Sequence, residues 1–211
     1  MMIDWIMGAC VGLGLAACCG FRVFVPMLVA ALGTKLGLIG PMPGYEFIGS
    51  WTAIIGLCIA TAFELGAYYI PWLDNLLDTV AMPVAIVAGT LLSTSFLRVN
   101  DDMVRWSMSL MLGGGAAGLI QAGTSLLRLG SVTTTGGLAN PVVATGENAA
   151  SLGLSILTVF LPLFAFALIV CLLIFVVVRI LGRRKLRFTK ATPKQPGNPL
   201  DQFPRSSNGR H

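Results

Sequence analysis

The sequence predicts an all-α fold, a polytopic bundle of transmembrane helices, and three observations carry that prediction. First, the composition is too apolar for water: of 211 residues, 55% are hydrophobic and 11% charged, against about 25% charged in an ordinary soluble domain. Second, several apolar runs approach or pass the roughly 20 residues that cross a bilayer. Third, what separates the runs is Pro/Gly turns and isolated charges rather than polar domains. The runs are Trp5–Gly20, Phe21–Gly40, Trp51–Ile70, Met82–Leu97, Met103–Leu127 and a long one from Val142 to Leu181. About six or seven membrane segments are expected from their lengths, some of them broken or re-entrant.

The first run sets the pattern. Asp4 precedes it, no basic stretch does, and apolar sequence continues beyond any signal-peptide core, so a retained segment is expected. A single helix from Trp5 to Gly40 would be about 54 Å long at 1.5 Å per residue, and the hydrocarbon core is about 30 Å thick. The run must break, and GFRVFVP (Gly20–Pro26) is where a Gly and a Pro both occur. GPMPGYEF (Gly40–Phe47) then reads as a turn outside the hydrocarbon. After the Trp51–Ile70 helix, PWLDNLLDTV (Pro71–Val80) reads as a short amphipathic helix, with Asp74 and Asp78 on one face. An acid early in a helix is equally well explained by its free N–H groups.

Small residues are dense in GACVGLGLAACCG and MLGGGAAGLIQAG, and close packing of helices is the preferred reading for both. SVTTTGGLANPVVATGEN (Ser131–Asn148) is too polar for lipid yet weakly charged; Thr134 brings a hydroxyl, and Asn140 is either a helix N-cap or a pathway residue. The final run is again over-long, with Pro162 as its break. Arg183, Arg184, Lys185 and Arg187 follow it, place the C-terminus in the cytoplasm and attract anionic lipid. Residues 1–182 therefore form the transmembrane domain, and 183–211 a basic, then disordered, cytoplasmic tail. Two over-long runs, each interrupted by Pro, suggest an inverted repeat.

Charges inside apolar runs cost about 2.5–3.5 kcal/mol at mid-bilayer on insertion scales and usually face a cavity or a partner. Arg22, Glu64, Arg128 and Glu147 are such positions. A buried ion pair between Arg22 and Glu64, locking two helices, is weighed against a polar pathway built from Arg22, Glu64, Asp74, Asp78, Gln121, Thr134, Asn140 and Glu147. The sole histidine is His211 and the five cysteines all lie in apolar runs, where packing explains them. No metal site or cofactor is expected. HExxH and GxSxG do not occur, and a Ser–Lys dyad would need Lys35 at a segment end, so catalysis is not expected either.

Together, GFRVFVP, ELGAYYIPWLDNLLD, TTTGGLANPVV and the apolar C-terminal run resemble the bacterial membrane family known as domain of unknown function 4126. The resemblance extends from about Gly12 to Leu181, resting on G-x-R-x-F-x-P and T-T-G-G-x-x-N-P together. One departure is Tyr68-Tyr69, where the family pattern has an Asp-Lys pair; a site built on that pair is absent or altered here. The resemblance implies the fold and an inner-membrane location, and no activity. Function is thus expected to be a small transporter or channel for a polar solute or ion. The alternative is a non-catalytic scaffold or accessory subunit whose buried charges lock helices, or a lipid-handling protein. The expected partners are the bilayer, anionic lipid at the basic tail and further copies in a homo-oligomer, with no nucleic acid.

Overall fold

The computed structural model describes the backbone of residues 2–67, 71–136 and 140–190, and the side chains of 3–67, 80–131, 133, 134, 136 and 141–179. Its helices are α1 (Met2–Cys18), α2 (Phe24–Lys35), α3 (Trp51–Ala67), α4 (Pro71–Phe96), α5 (Asp102–Met108), α6 (Gly115–Thr135), α7 (Asn140–Phe160) and α8 (Pro162–Lys190). Ser109–Gly114 joins α5 to α6 as a π-helical stretch, and Glu46–Gly49 is a short 3-10 turn. Three stretches are long and apolar enough to cross a membrane: Asp102–Ser131, Pro141–Phe160 and Pro162–Arg179. Ile3–Cys18, Phe24–Lys35, Trp51–Ala67 and Val80–Phe96 are apolar but shorter.

Close contacts fix the direction of each helix. A Cβ placed on Gly8 would lie 2.6 Å from the Phe96 carbonyl oxygen, and one on Gly12 would lie 3.2 Å from that of Ser93. α4 therefore runs antiparallel to α1. Along α7, Ser151 meets Cys18 while Thr158 meets Gly14, so α7 is antiparallel to α1 as well. Gly113 and Gly118 meet Ser93 and Ile86 in turn, which makes α6 antiparallel to α4. On α8, Pro162 lies beside Gly8, and Val176 shares a cavity with Phe21, so α8 is parallel to α1.

One end of the bundle thus gathers Asp4, Ile39, Arg98 and Pro162. The α6–α7 turn lies at the opposite end. Gly136 ends α6 there in the left-handed conformation, φ 62°, which a residue without Cβ adopts freely.

The centre of the bundle is built from small residues. At Gly89 of α4 the backbones of three helices converge: an added Cβ would stand 2.8 Å from Ala117 Cβ, 2.9 Å from the Gly113 oxygen and 3.2 Å from the Ala16 oxygen. Helices approach this closely in lipid because small residues let backbones touch. The π-helical stretch sits at this crossing, with Gly113 and Gly114 against Ser93 and Thr90. Two threonines inside α4 and α7 bond back one turn, Thr94 to the Thr90 carbonyl and Thr158 to that of Leu154, so apolar surroundings leave these two hydroxyls satisfied.

Two expectations change. Pro71–Val80 is not a separate surface helix but the first part of α4, which continues through Pro83 to Phe96. The polar stretch Ser131–Asn148 is mostly helical, forming the end of α6 and the start of α7. The long last run breaks at Pro162 as expected, and there the chain reverses: Leu161 alone separates the antiparallel α7 and α8. Its N–H bonds back to the Leu157 carbonyl at 2.7 Å, while its own carbonyl accepts the Ala165 N–H at 2.9 Å.

Candidate functional site

The first run also reverses, at Cys19–Val23. α1 tightens as it ends: the N–H groups of Gly20 and Phe21 bond three residues back, to Ala17 and Cys18, at 3.0 Å each. Gly20 is required there, since an added Cβ would lie 2.4 Å from the Ala117 oxygen. α2 then starts inside the bundle and returns toward the end from which α1 came, with Gly33 reaching Ile39 and Val159. At twelve residues it is about 18 Å long, shorter than the roughly 30 Å hydrocarbon core. Pro26 lies in its first turn, where a missing N–H costs nothing.

Such a start leaves backbone donors with no upstream carbonyl at membrane depth, and they must find partners within the protein. Glu64 of α3 supplies them. Its Oε1 accepts the Val23 N–H at 2.7 Å and its Oε2 accepts that of Phe24 at 3.0 Å. The carboxylate, 6% exposed, therefore caps a helix that is remote in sequence, and its charge faces the positive end of α2.

Arg22, 1% exposed, reaches α7. Its Nη2 donates to the Ala144 carbonyl at 3.3 Å and stands 3.5 Å from Glu147 Oε2. Glu147 is itself gripped by Arg128, with Nε 3.3 Å from Oε1 and Nη2 bonded to Oε2, a two-pronged pairing. So one buried carboxylate bridges arginines from α6 and from the break. Arg128 lies seven residues before the end of α6 and Glu147 seven after the start of α7, which puts both about 10 Å below the turn that joins them.

The structure therefore brings Arg22, Arg128 and Glu147 together, with Glu64 at the same break on the N–H groups of Val23 and Phe24. The weighed Arg22–Glu64 lock takes another form. Both oxygens of Glu64 are engaged by backbone N–H groups that the break exposes, and among the described residues the carboxylate that Arg22 meets is Glu147. Arg128, an anomalous charge in the sequence but not counted in the pathway, is the main partner of Glu147. The sequence does carry a signal for it, because residues equally far from the facing ends of two consecutive antiparallel helices lie side by side.

Gln121 is buried on α6, with its backbone carbonyl accepting the Thr124 hydroxyl at 3.0 Å. Thr134 lies outside this cluster: it is exposed, and its hydroxyl bonds back to the Gly130 carbonyl at 2.8 Å. The side chains of Asp74, Asp78 and Asn140 lie outside the described residues, as do Tyr68, Tyr69 and the basic side chains beyond Arg179. Among the described residues no three His, Cys, Asp or Glu side chains converge as a metal site would require. A cavity of about 490 Å³ opens between α3 and α4, and its walls include Phe24, Phe63, Glu64 and Val84.

The break at GFRVFVP and the small-residue core match what the sequence motifs implied, whereas the glutamate cap on α2 does not follow from them. The family model described as a domain of unknown function (DUF4126) matches residues 9–183. The chain belongs to this family. The match covers all eight helices in whole or in part, including the break and both arginines of the cluster. No curated protein matches the chain, and no solved structure does.

Proposed function

We propose that this DUF4126 protein is a non-catalytic structural component of the membrane, a scaffold or accessory subunit whose buried charges lock its helices. The observation that carries this reading is the allocation of the acids. Glu147 is shared by Arg22 and Arg128, and both oxygens of Glu64 hold the start of α2. Charges so engaged hold geometry, and exchanging such a cluster for apolar side chains of similar volume is often neutral or stabilising. The test replaces Arg22 and Arg128 by Met and Glu147 by Leu together, then combines cross-linking in native membranes with flux assays in proteoliposomes. The expected result is a complex larger than the 22.2 kDa chain, retained by the triple variant. Solute or ion flux that the triple variant abolishes would overturn the proposal.

A transporter or channel for a small polar solute or ion is the second reading, favoured by the cavity between α3 and α4 that reaches Glu64 at a broken helix. Its pathway would use Arg22, Glu64, Gln121 and Glu147, with six or seven membrane segments in an inverted repeat of about two halves. Under this reading Glu64→Gln abolishes coupled flux in proteoliposomes while the fold persists; flux equal to wild type sinks it. Both readings place the protein in the bacterial inner membrane. The end carrying the α6–α7 turn and the basic end of α8 then faces the cytoplasm.

A further inference from the structure

A second cavity, of about 220 Å³, lies between α6 and α8 on the bundle's outer side, away from the α3–α4 opening. Its lining follows one face of each helix. On α8 it takes Leu172, Phe175, Val176 and Arg179, at the spacing that stacks side chains in a row. On α6 it takes Gly123 and Leu127 among others, and its inner wall is Phe21, the neighbour of Arg22 on the break. Because α6 and α8 run in the same direction, the groove rises from an apolar floor to one cation. That cation, Arg179, is exposed, lies two residues before Leu181 at the end of the last apolar run, and forms no hydrogen bond or ion pair among the described residues. The sequence then continues into Arg183, Arg184, Lys185 and Arg187.

We infer that this groove is a binding site for an anionic phospholipid, with the acyl chain along Leu172, Val176 and Leu127 and the phosphate on Arg179. An arginine near the end of an apolar run matches a phosphate in charge and in planar, two-pronged geometry. The basic run beyond it supplies further positive potential, which an anionic headgroup meets and a zwitterionic one largely cancels with its own amine. The lipid would press on Phe21 and so on the break that carries Arg22, acting as a filler of the bundle's side. This inference stands independently of the scaffold and transporter readings.

The test places a fluorescent reporter in the groove. Phe175→Trp protein, with wild type as the background for its native tryptophans, is reconstituted in phosphatidylcholine vesicles. These contain a minor fraction of brominated-chain phosphatidylglycerol or the same fraction of brominated-chain phosphatidylcholine. The expected result is quenching of the reporter indole consistent with about five-fold enrichment of phosphatidylglycerol, the equivalent of ~1 kcal/mol for one arginine at an anionic surface. Arg179→Gln in the reporter background removes most of that preference and Arg179→Lys keeps part of it. Exchanging Arg183, Arg184, Lys185 and Arg187 for Gln lowers the general enrichment but preserves the Arg179-dependent difference. Equal quenching by both lipids, or a preference unchanged by Arg179→Gln, overturns the site. So does absence of quenching by either lipid together with cross-links from a photoreactive side chain at position 175 to another chain, an outcome that gives the groove to a protein helix instead.

Discussion

The chain reverses twice inside over-long apolar runs, and the two reversals are built from opposite materials. At Leu161 a single residue and a proline suffice, with no charge nearby in sequence, and the backbone ladder resumes within one turn. At Cys19–Val23 the turn takes five residues, a glycine against α6, a glutamate from α3, and an arginine clasped by α7. The difference is depth. Leu161 is exposed at the end of the bundle that also holds Asp4 and Arg98, where polar surroundings are at hand. Val23 and Arg22 are buried, so every donor that the turn frees needs a partner from the protein itself. A proline marks both turns in the sequence, and only the buried one needs charges.

The comparison is broken most severely at Glu147. Glu147→Ala strands Arg22 and Arg128 without their shared carboxylate, and a loss of about 3–5 kcal/mol is expected. Unfolding by a denaturing detergent, followed by tryptophan fluorescence, measures it; a loss below that of Pro162→Ala would refute the central role of this cluster. Glu64→Ala comes next. It removes the one carboxylate that holds both N–H groups, at about 1.5–3 kcal/mol, and hydrogen exchange should quicken at the amides of Val23 and Phe24 before those of α7. Glu64→Gln keeps one good acceptor and should lose roughly half as much.

Smaller effects sharpen the comparison. Gly20→Ala forces a methyl group against the Ala117 carbonyl, and overpacking of this kind costs about 1–3 kcal/mol. The shift should be read in the thermal midpoint of the purified protein, and a midpoint equal to wild type would mean that α6 gives way freely. Pro162→Ala is expected to cost least. Pro162 opens α8, where Ala fits the same backbone, so the exchange chiefly frees the unfolded chain, by about 0.4–1 kcal/mol. If it destabilised the protein more than Gly20→Ala, depth would not be what separates the two turns.

Much of this is legible in the residues. The break in GFRVFVP follows from length alone, and so does the one at Pro162. Small-residue packing in GACVGLGLAACCG and MLGGGAAGLIQAG is legible too, because glycines at four-residue spacing have few other uses in lipid. The union of Pro71–Val80 with the apolar stretch after it is not. Pro83 and two acids argue locally for an interruption, yet the helix runs without a break from Pro71 to Phe96.

What the sequence by itself determined is the class of the molecule, where its long runs must break, and that Arg22, Glu64, Arg128 and Glu147 need partners. Hydrocarbon thickness and the cost of a buried charge act on each segment separately, so they can be read from the chain. Which charge meets which was decided by the tertiary structure. Glu64 could serve Arg22 or the backbone, and its position across from the start of α2 gave it to the backbone. Arg22 was thereby left to the carboxylate that α7 carries past the break. Partner choice depends on how segments more than a hundred residues apart are aligned, from Arg22 to Ala144 and Glu147, and no local pattern encodes that alignment.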